Sequence, residues 1–190
     1  MIKLSPTSWL AIAIVALVQT VALASIVYGR VSLLKNGREI VAEVIPVDPR
    51  DIFRGDYVIL GYGFTRGEVP APEETNQGDT IYVTLKPGVA EGQWEVAGLS
   101  LTHAQPADPA QVVLKGIVSY VSNPVGNEPR KVSVRYGIES YFVPEGTGRE
   151  LEQQVRDKKI SAVLAVGKSG EVAIKALVVD GKRLAEQPLL

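Results

Sequence analysis

The chain has 190 residues, with 20 basic and 21 acidic side chains, a formal net charge of −1, one histidine and no cysteine. That length fits one domain, or two small lobes behind a leader, and the balanced charge predicts no face that draws nucleic acid or an anionic membrane surface strongly. Without cysteine there is no disulfide frame, thiol nucleophile or thiolate metal site, and His103 alone argues against a His-rich metal centre or a Ser-His-Asp triad, so no metal or cofactor is expected.

The first predicted element is a hydrophobic helix. Trp9 to Tyr28 contains no charged residue, and only Gln19, Thr20 and Ser25 are clearly polar. About 20 residues at about 1.5 Å each reach about 30 Å, enough to cross a bilayer core. Trp9 and Tyr28 mark its ends, where amphipathic rings favour the headgroup region. Ser5-Pro6 suits a helix start. Ala22-Leu23-Ala24 also offers a signal-peptidase site, but the apolar run continues through Ile26, Val27 and Tyr28, and a retained anchor is the preferred reading. Lys3 precedes the span while Arg30, Lys35 and Arg38 follow it. Counted literally, these charges would leave the following domain in the cytoplasm. A short charged N-terminus before an apolar run instead resembles an export signal.

Short apolar runs separated by turn residues follow, a β-rich pattern. Glu39 to Ile45 is the first predicted strand. Pro46 to Tyr62 then reads P-V-D-P-R-D-I-F-R-G-D-Y-V-I-L-G-Y. Asp48 suits an N-cap and Pro49 the first helical position. Asp51 complements the positive helix end, and Gly55 can adopt the left-handed conformation that stops the turn. Asp56 then begins a strand whose period of two sets Val58, Leu60 and Tyr62 on one face and Tyr57 and Ile59 on the other. Arg50 and Arg54 stand among Asp48, Asp51 and Asp56, a corner of caps and ion pairs or, in a sharper reading, a carboxylate-lined site. The tripeptide Arg54-Gly55-Asp56 is read as coincidence with cell-adhesion ligands.

Arg66 to Gly78 carries the prolines and acids of an exposed loop. Thr80 to Leu85, Trp94 to Leu101 and Val112 to Tyr120 are further strands, with Gly116 marking a bulge or a close backbone approach. His103, in a polar turn-like stretch, is read as an exposed loop residue. Ser122 to Pro129 is the expected lobe boundary. Lys131 to Ile138 alternates as a strand. Thr147-Gly148-Arg149-Glu150 has capping-box spacing for a surface helix to about Asp157. Ile160 to Val166 and Glu171 to Val179 form a hairpin across Gly167-Lys168-Ser169-Gly170, and Asp180-Gly181 makes the next turn.

Gly55-Asp56-Tyr57-Val58-Ile59-Leu60-Gly61-Tyr62 spells G-D-Y-x-x-L-x-Y, and the chain resembles the GDYXXLXY family of bacterial membrane-anchored proteins on these residues. The lead-in Pro46 to Asp51, the block Arg135 to Gly146 and the pieces around Lys175 to Gly181 look like further blocks of that family. The resemblance covers roughly residues 30–182. It implies a membrane-bound protein with its domain on the extracytoplasmic side, and it brings no reaction with it.

The fold class read from the sequence is α+β, mostly β. It comprises an N-terminal transmembrane helix (1–29), a β-rich lobe with the motif (30–121) and a strand, helix and hairpin lobe (131–190), with one short surface helix. Asp48, Pro49, Arg50, Arg54, Gly55, Asp56, Tyr57, Leu60 and Tyr62 form the first candidate constellation. Tyr136, Gly137, Glu139, Tyr141, Phe142, Glu145 and Gly146 form the second. Gly146-Thr147-Gly148 lacks the Lys-Ser/Thr ending of a phosphate loop, so no nucleotide is expected. The preferred function is a non-catalytic accessory protein anchored in the inner membrane, whose partners are the lipid bilayer and another membrane protein, with no nucleic acid. The alternative is an envelope glycan hydrolase in which Asp56 works with Glu139 or Glu145 as an acid/base pair.

Overall fold

A computed structural model describes residues 6–45, 57–65, 69–72, 74–122, 129–142, 160–179 and 181–186. Asp48 to Asp56, the helix expected after Thr147, and the candidates Glu145 and Gly146 lie outside these residues.

Helix α1 spans Pro6–Asn36, 31 residues. Its apolar window has mean hydropathy 2.5 and buries nothing against the rest of the protein. Polar side chains in it bond to the helix itself: the Thr20 hydroxyl donates to the Ala16 carbonyl (2.8 Å) and that of Ser25 to Ala22 (2.8 Å). Such back-bonding leaves no hydroxyl proton unsatisfied in an apolar surrounding. The helix runs past Tyr28, where the sequence pattern alone would end it. Its last turns are held by the domain, with Leu34 buried and the Gly37 amide donating to the Leu33 carbonyl at 2.9 Å. Lys35 in the last turn complements the negative helix end.

Strand β1 (Arg38–Ile45) starts two residues after the helix ends. Ile40, Ala42 and Val44 point inward from it. It pairs antiparallel with β10 (Ile160–Val166), Arg38 opposite Val166 and Glu43 opposite Ser161. Beyond β10 lie β11 (Val172–Val179) and β12 (Lys182–Glu186), and the other edge of β1 takes β3 (Gly61–Tyr62). The β10–β11 hairpin turns across Gly167 to Gly170, as its sequence predicts. The Gly167 amide donates to the Glu171 carbonyl at 2.7 Å, and Gly170 has φ +89°.

The second sheet has the order β4 (Val69–Pro70), β8 (Lys131–Arg135), β7 (Val112–Val121), β5 (Thr80–Pro87), β6 (Trp94–Ser100). Ile81, Val83 and Leu85 of β5 are fully buried. Gly116 in β7 is a close approach, and the register irregularity of that strand lies further on, between Val118 and Tyr120. A Cβ there would stand 2.3 Å from the Val134 Cγ1. The described part of the 66–78 segment is turn and loop except for β4, whose two residues add to the edge of β8.

Both sheets contribute to one core, in which Ile40, Val44 and Leu164 of the first meet Ile81, Leu85 and Leu114 of the second. Each sheet draws strands from both halves of the chain: β3 joins β10 to β12, and β8 joins β4 to β7. Backbone bonds tie the sheets at two seams. The Glu43 amide donates to the Gly92 carbonyl (2.8 Å) and the Lys115 amide to Gly170 (2.7 Å). At the first seam the Trp94 indole N–H also donates to the Val41 carbonyl at 2.8 Å.

Candidate functional site

The structure brings the two sequence constellations together. The motif strand is broken at Leu60 into β2 (Tyr57–Ile59) and β3. Strand β2 pairs antiparallel with β9 (Ser140–Phe142), setting Tyr57 opposite Phe142, Val58 opposite Tyr141 and Ile59 opposite Ser140. The Leu60 amide then donates to the Glu139 carbonyl at 2.8 Å. The break lets one short motif serve two partners, β9 through its first half and β1 through its last two residues.

Period-two reading of the motif holds at Leu60 and Tyr62, which are 1 % and 0 % exposed, while Ile59 faces outward. The Tyr62 hydroxyl donates to the Ile138 carbonyl at 3.1 Å. Its ring stacks on Phe64 with centroids 5.3 Å apart, and Phe64 meets the Tyr136 ring edge-on at 5.8 Å. Thr65 closes the turn after β3: its hydroxyl donates to the Tyr62 carbonyl (2.9 Å) and accepts from the Tyr62 amide (3.1 Å).

Strand β8 ends at Arg135, and the chain bends through Tyr136 to Glu139 before β9. Gly137 takes φ +79°, a left-handed conformation that favours glycine. The Glu139 side chain folds back over this bend. Its Oε1 accepts from the Tyr136 amide at 2.6 Å and its Oε2 from the Gly137 amide at 2.8 Å. The expected strand through Ile138 is thus cut short, because a carboxylate takes over the amide partners that a ladder would have supplied. The same carboxylate acts on the tyrosines. Burial first, and then the negative charge of Glu139, push the Tyr62 and Tyr136 phenols well above the ordinary tyrosine range. Burial alone raises Tyr141. These rings are therefore neutral at any physiological pH and serve as packing surface, with the Tyr62 hydroxyl also a donor, not as bases.

Of the candidate acids, Glu139 is described, and both its oxygens are engaged by backbone amides. Asp56 and Glu145 fall outside the described residues, so no carboxylate pair is seen. Among the described residues no group of three or more His, Asp or Glu could hold a metal ion. The Tyr136 hydroxyl and the Thr75 hydroxyl are buried without a hydrogen-bond partner. His103 is exposed, its ring set edge-on to Tyr82 at 5.2 Å.

Sequence reasoning missed β9 and the fold-back of Glu139. A polar side chain placed four residues after a strand end, across a glycine, was the available signal. It also missed the Trp94 tie, because nothing local marks a long-range indole donor.

A family model described as GDYXXLXY protein matches residues 19–177. No curated protein and no solved structure matches the chain.

Proposed function

This chain belongs to the GDYXXLXY family, and from that premise we propose that it is a non-catalytic accessory protein of the bacterial envelope. Its N-terminal helix is a retained single-pass anchor in the inner membrane, and its β domain stands on the extracytoplasmic side and holds a membrane-protein partner there.

The observation that carries this reading is the use made of the family's own blocks. Leu60 and Tyr136 give their amides to Glu139, Tyr62 gives its hydroxyl to the Ile138 carbonyl, and the rings of Tyr62 and Tyr136 pack on Phe64. A catalytic carboxylate needs an open oxygen and a pKa matched to its task, and Glu139 has its oxygens on backbone amides. Retention of the anchor is supported by α1 itself. Cleavage after Ala24 would leave Ser25 to Asn36 as a stub of a helix whose far end, at Leu34, is buried in the domain.

In-cell crosslinking of the tagged full chain, followed by mass spectrometry, tests the proposal. A reproducible membrane-protein partner is expected, and recovery of none would count decisively against it. Carbonate extraction tests the anchor, which predicts the full-length chain in the membrane pellet. A reporter fused to the C-terminus tests the side of the membrane.

A further inference from the structure

We propose that the groove between the end of α1 and the β domain binds the headgroup of an anionic phospholipid. The inference rests on the reading of α1 as a retained anchor. The groove has a volume of about 950 Å3, at the upper end of the range of small-molecule sites. Ile26, Tyr28 and Leu33 line it from the helix, and Val112, Val166 and Val172 line it from the sheets. Its position follows from the anchor. If Trp9 to Tyr28 fills the hydrocarbon, Ile26 and Tyr28 lie at the boundary and the groove opens at headgroup depth. Both residues are largely exposed to whatever surrounds the helix, at 69 % and 76 %.

The charge of the lining is what selects the lipid. Arg30, Arg38 and Lys168 line the groove, against one acid, Glu171, among its described residues. The net charge of −1 for the whole chain conceals this local excess. Arg38 is fixed in place: its guanidinium donates to the carbonyls of Pro109 (2.6 Å), Gln111 (2.9 Å) and Ala110 (3.2 Å), so its charge is held at the wall by neutral acceptors, with no carboxylate paired to it among the described residues. Along the helix Ile26 and Tyr28 precede Arg30, the order in which acyl chain and phosphate would meet them, and the apolar residues of the sheets line the groove beside the other cations. A soluble anion would match the cations but leave the apolar half of the lining unused.

The test uses the full chain in mild-detergent mixed micelles, titrated with phosphatidylglycerol or phosphatidylcholine and read by native mass spectrometry. Phosphatidylglycerol is expected to bind in preference. Each cation near an anionic surface contributes about a fivefold factor, so Arg30→Gln and Lys168→Gln should each weaken that binding about fivefold. Lys35→Gln removes a charge from the same helix end but not from the lining, and should weaken it less than either. Equal affinity for the two lipids would overturn the inference, as would an effect of Lys35→Gln as large as that of Arg30→Gln. Carbonate extraction separates the two readings. A chain that stays in the membrane yet shows no lipid preference overturns the groove alone, and a chain released from the membrane overturns the anchor and the groove with it.

Discussion

Replacing Glu139 by glutamine tests whether the second sequence block is architecture or chemistry. The carboxylate holds two amides, at 2.6 and 2.8 Å. Hydrogen bonds to a charged group are worth about 1.5–3 kcal/mol each, and the half-buried position of Glu139 favours the low end of that range. Glutamine keeps one acceptor oxygen and turns an amide donor toward the other N–H, so the cost should be about 2 kcal/mol. Alanine removes both acceptors and should cost about 3 kcal/mol. The Glu139 main-chain carbonyl still receives the Leu60 amide in either variant, so the β2–β9 pairing is not cut directly. For a chain of this size about 2 kcal/mol corresponds to a fall of about 4–8 °C in midpoint. Near-ultraviolet circular dichroism of the full chain in micelles reads the packing of Tyr62, Phe64 and Tyr136 as heat or urea is applied. A wild-type midpoint for Glu139→Gln, together with lost partner capture or lost glycan hydrolysis, would refute the structural role and return Glu139 to the list of reacting groups.

Gly116→Ala should destabilise by about 1–3 kcal/mol through overpacking, since the new methyl meets the Val134 Cγ1 at 2.3 Å. Adding Val134→Ala should recover part of that loss, and strictly additive costs in urea unfolding would show that the contact is not the cause. Trp94→Phe loses the indole bond to Val41 and should cost about 1 kcal/mol; hydrogen exchange at the Glu43 amide should quicken, and unchanged exchange there would mean that the seam does not depend on the indole. The buried tyrosines predict alkaline unfolding. Because folding raises the phenol pKa values of Tyr62 and Tyr136, their contribution is intact below the unfolded value of about 10 and falls above it by up to about 1.4 kcal/mol per pH unit for each ring. Phenolate absorbance from these rings should therefore appear together with loss of the folded circular dichroism signal; full titration in a folded protein would contradict their burial.

The strands were largely legible because their chemistry is local. Alternation in Thr80 to Leu85 and the turn residues Gly167 to Gly170 each carry a period or a φ requirement that one segment can declare. Pairing between strands distant in sequence was not legible, since β1 has no feature of its own that names β10 rather than β5 as its neighbour. The same limit applies to the site. Period-two alternation set Leu60 and Tyr62 on one face of the motif strand, and the structure turns that face inward. Their partners, the Glu139 carbonyl and the Ile138 carbonyl, are main-chain groups, which every residue owns and no sequence marks. The end of α1 was misplaced for a related reason: charge at Arg30 ends a hydrophobic run, but helix continues wherever a docked side chain such as Leu34 rewards it.

The antiparallel pairing of β1 with β10 also sets a timetable. Arg38 finds its ladder partner in Val166, and Tyr57 finds its own in Phe142, so the β1–β10 and β2–β9 ladders close only after most of the chain has been synthesised. Contacts this distant in sequence slow folding, because a long loop must be closed before they are rewarded. α1, by contrast, needs only its own residues and is complete first. During synthesis the finished hydrophobic helix is therefore followed by a β1 whose long ladder is still open, while β5, β6 and β7, neighbours in sequence, can already pair. Moving β10 and β11 ahead of β1 by circular permutation would shorten the loop to be closed and hasten the β1–β10 pairing.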